Sequence, residues 1–84
     1  VFERDETAIT VSGRFTMREL QAETGWTFEW MPRETVAAWA ERNRGQPLRR
    51  GESFVTGEFR VTATEVGAET ARRVRVERLP ASGA

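Results

Sequence analysis

From Ser53 to Leu79 apolar and charged side chains take turns along the chain, and this alternation constrains the fold more than any other feature. Phe59, Val61 and Ala63, then Val74 and Val76, fall at every second place and are separated by arginines and threonines. A period of two gives a strand with one buried and one wet face. Turn residues at Thr56-Gly57 and Gly67-Ala68-Glu69 cut the region into strands over about 53–55, 58–65 and 71–79. A sheet with one apolar face has to be covered by something else in the chain.

The first half supplies that cover. "TAITVSGRF" from Thr7 onward alternates Ile9 and Val11 against Thr10 and Ser12, which predicts another half-buried strand. Thr16-Met17-Arg18-Glu19 then matches the S/T-x-x-E capping box, and Phe15 and Leu20 fall at the two places of a hydrophobic staple. Cap and staple agree on one helix start. Gly25 suits the left-handed position that ends such a helix after about two turns. Gly13-Arg14 is therefore read as a strand-to-helix corner.

After the aromatic connector "WTFEWMPRE", Pro32 is placed in the first turn of a second helix, with Glu34 near its positive end. Val36, Trp39, Ala40 and Asn43 predict its apolar stripe, with Glu41, Arg42 and Arg44 pointing away and Asn43 or Gly45 at its end. The expected architecture is α+β in the order βααβββ, two helices on one face of a mainly antiparallel sheet. Residues 1–6, "VFERDE", are expected to be a linker remnant, with Phe2 able to dock on a neighbour. Residues 7–79 are the domain, and 80–84 a flexible tail. A start at Val1 instead of a methionine leads us to expect an excerpt of a longer protein.

Composition narrows the chemistry. Eighty-four residues build one small core, resting on Phe15, Trp26, Phe28, Trp39, Phe54 and Phe59. Cysteine and histidine are both missing, which removes disulfides, thiolate nucleophiles, imidazole bases and most transition-metal sites. All 13 basic residues are arginine, so no lysine exists for a Schiff base or a P-loop. Thirteen acidic residues balance them, leaving no net field toward nucleic acid or an acidic membrane. No stretch is apolar enough to span or insert into a bilayer, and the piece is expected to be soluble. Ser12, Ser53 and the threonines have no base beside them, so no catalytic residue is assigned and no enzyme is expected.

The linear order of a strand ending in Gly-Arg, a capped helix with "REL", then "ETVAAW", "RGE" and a last strand "RRVRVERL" resembles the CorC/HlyC transporter-associated domain over about 7–79. That module closes CorC-type magnesium and cobalt efflux proteins and haemolysin-C-like proteins. The resemblance implies a parent with a transmembrane domain and a pair of nucleotide-binding CBS domains, this module standing on the cytoplasmic side of the membrane. A related module occurs on some potassium/proton antiporters. The family's fold is similar to part of the FAD-binding domains of vanillyl-alcohol-oxidase-type flavoenzymes, which is the basis for associating FAD with it. Regulation of transport, through contacts with the CBS pair and the transmembrane domains, is the implied role. Two places depart from the family pattern: Ala38 stands where a glycine is usual, and Pro47 comes one place early in "PLRRG".

Candidate sites follow from the residues. An arginine beside a helix start can hold a phosphate or carboxylate, which makes Arg14, with Arg49 and Arg50 of the "PLRRGE" loop, the candidates for a small ligand such as FAD or an adenine nucleotide. Against this, Thr16 already uses the free N–H groups of that helix, and no glycine-rich phosphate fingerprint is present. No cofactor is expected from the residues themselves. Trp26, Phe28 and Trp30 alternate along the connector and are candidates for core packing or for a contact surface with the parent or a second copy, as a homodimer. Arg49, Arg50, Arg72, Arg73, Arg75 and Arg78 compose a basic strand face. It carries no exposed aromatic pair of the RNA-binding kind, so no nucleic-acid partner is expected. Glu29, Glu34, Glu52, Glu58 and Glu65 show no oxygen-ligand spacing, and no metal site is assigned.

Overall fold

The computed structural model describes residues 1–68 and 70–80. Two helices lie on one face of a five-stranded, wholly antiparallel sheet whose strand order is β1-β2-β5-β4-β3. The elements are β1 (Glu3–Arg4), β2 (Ala8–Ser12), α1 (Met17–Thr24), α2 (Val36–Arg44), β3 (Ser53–Thr56), β4 (Phe59–Val66) and β5 (Ala71–Arg78). The α+β class, the helix layer and the last three strands are as the alternation predicts.

Residues 1–6 are not a linker. Glu3 and Arg4 pair with Thr10 and Ile9, and the Asp5 carboxylate accepts the Thr7 and Ala8 N–H groups at 2.8 Å each, closing a tight hairpin. The sheet thus begins one strand earlier than predicted. The physical reason is that a short edge strand is held by backbone pairing and tolerates a charged sequence. Its presence also explains why Thr10, expected on the wet side, is buried: β2 is an inner strand, flanked by β1 and β5.

The register sets the core. Ile9 faces Val76, Val11 and Ala63 both face Val74, and Val61 faces Val76, so one face of β2, β5 and β4 is continuously apolar. Met17 and Leu20 from α1, with Val36, Ala37, Trp39 and Ala40 from α2, close it from above. A register shift between Ala63 and Val66 places Glu65 opposite Arg73 on the open face. There Arg73 meets Glu65 at 3.1 Å, and Arg60 and Arg75 both reach Glu77, at 3.7 and 3.8 Å. The expected basic face is thus a mixed-charge, solvated one.

Helix α1 forms where the capping box places it. The Thr16 hydroxyl accepts the Glu19 N–H, the Glu19 carboxylate accepts the Thr16 N–H, and Gly25 closes the helix at φ 73°. Helix α2 starts later than Pro32: Thr35 is its N-cap and Gly45, at φ 84°, its C-cap. Pro32 instead occupies a turn in which the Glu34 N–H reaches the Met31 carbonyl at 3.0 Å, with Arg33 in the left-handed region at φ 64°. This is the type II pattern, in which proline suits the first central place and the second needs positive φ. The stripe of α2 also differs from expectation. Ala37 is buried, whereas Asn43 is exposed with its side-chain amide donating to the Trp39 carbonyl at 2.8 Å. Arg44, expected to point away, is half-buried and pairs with Glu52 at 3.3 Å.

Candidate contact surface

Gly13 is the corner that brings the helix layer down onto the sheet. Its N–H donates to the Arg72 carbonyl at 2.8 Å and its carbonyl accepts the Ala37 N–H at 3.0 Å, so one residue ties β5 to α2. The starts of the two helices are tied together just beyond it. The Met17 N–H donates to the Glu34 carbonyl and the Val36 N–H to the Phe15 carbonyl, around a bridge between Thr16 and Thr35.

The aromatic connector, residues 26–31, is held from three sides. Gln21, which no sequence pattern singles out, extends from α1 so that its side-chain carbonyl accepts the Phe28 N–H at 3.3 Å and the Trp30 indole N–H at 3.1 Å. The Trp39 indole donates to the Glu29 carbonyl at 3.1 Å. Glu34 bonds Arg42 through both oxygens, at 2.7 and 2.9 Å, and accepts the Met31 N–H at 3.1 Å. Those bonds, the one from Arg42 foremost, hold the Glu34 carboxyl below the usual glutamate range against the opposing effect of its burial.

The three aromatic candidates divide. Phe28 is buried, its ring 4.5 Å from Phe59 and 5.5 Å from Trp39 between centroids, so it belongs to the core and not to a contact surface. Trp26, half-buried, leans on Phe59 at 5.7 Å. Trp30, also half-buried, stands at the outer end of the connector, beside Met31, which is 57% exposed. Trp30 and Pro32 line a groove of about 400 Å³ with Thr16, Arg18, Arg33 and Glu34.

The three candidate arginines are not brought together. Arg14 is exposed at the corner after β2, while Arg49 and Arg50 are exposed in the loop before the edge strand β3, with β5 and β4 between. That loop is shaped by Leu48, which is buried, and by the Gly51 N–H bonded to the Ala63 carbonyl at 2.7 Å. Ala38, the first departure from the family pattern, is an exposed helix residue whose N–H donates to the Thr35 cap. Of the five candidate carboxylates, Glu34, Glu52 and Glu65 are each paired with an arginine. Among the described residues no cluster of three side chains is placed to hold a metal ion, and no helix is long and apolar enough to cross a membrane.

Residues 2–80 match the family described as the transporter associated domain, CorC_HlyC. The chain belongs to that family. No curated protein matches it in sequence, and the solved structures that share its fold are distant relatives. A haemolysin domain from Enterococcus faecalis superposes with a TM-score of 0.77 at 21% identity, over 93% of this chain and 95% of that one. The CorC transporter-associated region of Neisseria meningitidis gives 0.77 at 12% identity, over 92% and 95%. A CorC_HlyC domain of a Xylella fastidiosa haemolysin, solved in complex with Mg2+ and Mn2+, gives 0.72 at 18% identity, over 92% and 94%. Transporter-associated domains are accessory to CorC and haemolysin-type proteins, and this chain has their fold from edge strand to edge strand.

Proposed function

We propose that this domain is a non-catalytic regulatory module of a membrane ion transporter of the magnesium and cobalt type, placed on the cytoplasmic side. It works by contact with the CBS pair and the transmembrane domains of the same parent chain. The observation that carries this reading is the connector shelf at Trp30 and Met31. There the Met31 side chain is exposed beside the half-buried Trp30, on a connector fixed by Gln21, Glu34 and the Arg33 turn. A held, half-buried aromatic beside an exposed apolar neighbour is the kind of surface that anchors protein contacts. Regulation by such a contact requires that the shelf bind one state of the transporter more tightly than the other. FAD and adenine nucleotides are not advanced as ligands, because β5 and β4 lie between the strands that Arg14 and the Arg49-Arg50 loop adjoin.

The test uses the missing cysteines as an advantage. In a parent transporter with any cysteines outside this domain replaced, Met31→Cys and, on the open sheet face, Thr64→Cys give single attachment points for a photo-crosslinker. Crosslinks from position 31 to the CBS or membrane portion, with few from position 64, are expected. A crosslink to the same domain of a second parent would identify a homodimer as the partner. Equal labelling from both positions, or none from either, would remove the contact reading.

A further inference from the structure

The groove beside Trp30 carries a more specific assignment, which rests on the contact reading above. It is lined by the apolar Trp30 and Pro32 and by the exposed Arg18 and Arg33, with Thr16 and Glu34. Six arginines, at positions 4, 42, 44, 60, 73 and 75, have carboxylate partners and the other seven have none among the described residues; Arg18 and Arg33 are two of those seven, and they line the same groove. The carboxylates next to them in sequence are already engaged: Glu34 by Arg42 and the Met31 N–H, Glu19 by the Thr16 cap. The groove thus carries two unpaired guanidinium groups, its one carboxylate being engaged by Arg42, although the chain as a whole is neutral.

Arg33 adds a second observation. A side chain at φ 64° costs about 1 kcal/mol or more that glycine would avoid. The turn nevertheless holds an arginine, and it lines the same groove as Arg18. From this we infer that the groove is the docking site for an extended acidic protein segment, an apolar side chain of which sits on Trp30 and Pro32 while flanking carboxylates meet Arg18 and Arg33. Guanidinium groups suit carboxylates through paired N–H donors, and the apolar lining distinguishes such a segment from a free anion, which would leave Trp30 and Pro32 uncovered.

The experiment follows the indole N–H signals of the whole chain by NMR during titration with a short peptide of glutamates around a central leucine. Trp26, Trp30 and Trp39 give three separate reporters. Saturable movement of the Trp30 signal, with Trp39 still, is expected. Arg18→Gln with Arg33→Asn, a replacement that tolerates the left-handed turn, should weaken binding about tenfold. Replacing the glutamates by glutamines should do the same. Equal binding of the glutamine peptide, no effect of the double substitution, or no movement of Trp30 would overturn the assignment. So would a Trp30 shift caused by anionic phospholipid vesicles and not by the peptide, which would point to a membrane surface instead. If the peptide fails while position 31 still crosslinks within the parent, only the groove's occupant is wrong. If both fail, the contact reading falls with it.

Discussion

Gly13 and Ala71 approach so closely that a side chain on the glycine has nowhere to go: a Cβ there would run into the Ala71 carbonyl oxygen and stand 3.1 Å from the Ala37 Cβ. The neighbours are backbone of β5 and a buried residue of α2, neither of which can swing aside. Gly13→Ala should therefore cost about 3 kcal/mol, since relieving the overlap means parting strand from helix and breaking the two backbone bonds that Gly13 makes. Urea unfolding measures this directly. A loss under about 1 kcal/mol would show that the corner can open without disturbing the core.

Glu34 and Asp5 should make stability fall in acid. Both carboxyls are held below their usual range, Glu34 by Arg42 and then the Met31 N–H, Asp5 by the Thr7 and Ala8 N–H groups. A depressed folded pKa means that the stabilisation is complete above the unfolded value, about 4.3 for glutamate, and is lost as pH falls through the folded one. Because Arg42 is 43% exposed, the Glu34 pair is discounted for screening, and Glu34→Gln should lower neutral stability by about 1 kcal/mol. The same substitution should flatten the acid limb of melting temperature against pH. An unchanged acid limb in the variant would refute the assignment of that slope to Glu34.

At Arg33 the backbone, not the side chain, limits stability. Asparagine accepts positive φ more readily than arginine, and β-branched residues accept it least. Arg33→Asn should stabilise by about 0.5 kcal/mol and Arg33→Val destabilise by about 1 kcal/mol, read from thermal melts. The reverse order would mean that the turn is not held at positive φ in solution.

Gln21 should matter more than its place on an exposed-looking helix suggests. One side-chain carbonyl accepts from both Phe28 and Trp30, so Gln21→Ala leaves two donors without their partner at the junction of connector and helix. A loss of about 1–2 kcal/mol is expected, with a drop in near-ultraviolet circular dichroism as the Trp30 indole is released. Unchanged dichroism would separate Trp30 from Gln21.

What the sequence shows and what it hides divide along the range of the interactions. The capping box at Thr16 and Glu19, the glycine ends of both helices and the alternation from Phe59 to Val76 are local patterns, and each element stands where its pattern predicts. The edge strand at Glu3 is invisible because backbone pairing leaves no mark on side-chain character. Pro32 is misplaced because proline suits a type II turn as well as a helix start, and only the position of Thr35 relative to Thr16 decides between them. Leu48 and Gln21 act on partners that no spacing pattern within the chain reveals. The candidate arginines show the converse: residues alike in chemistry and each beside a turn adjoin strands with β5 and β4 between them once the strand order is known.

Phe28 and Trp30, two residues apart on one connector, should separate core from contact surface. Phe28 touches Phe59 and Trp39 in the buried interior, so Phe28→Ala removes a packed ring and should cost about 3 kcal/mol, whatever the domain is attached to. Trp30 is half-buried and keeps one bond to Gln21, so Trp30→Ala should cost about 1 kcal/mol and leave the fold intact. In the parent transporter the order should invert. Trp30→Ala is expected to weaken the coupling between this domain and transport while leaving its melting temperature within a few degrees of the natural one, whereas Phe28→Leu, which keeps the core filled, should leave coupling unchanged. Ion flux in vesicles containing each variant, beside the melting curve of the matching isolated chain, reads both quantities. If Trp30→Ala transports and responds like the natural protein, the shelf is ordinary surface and the contact lies on another face.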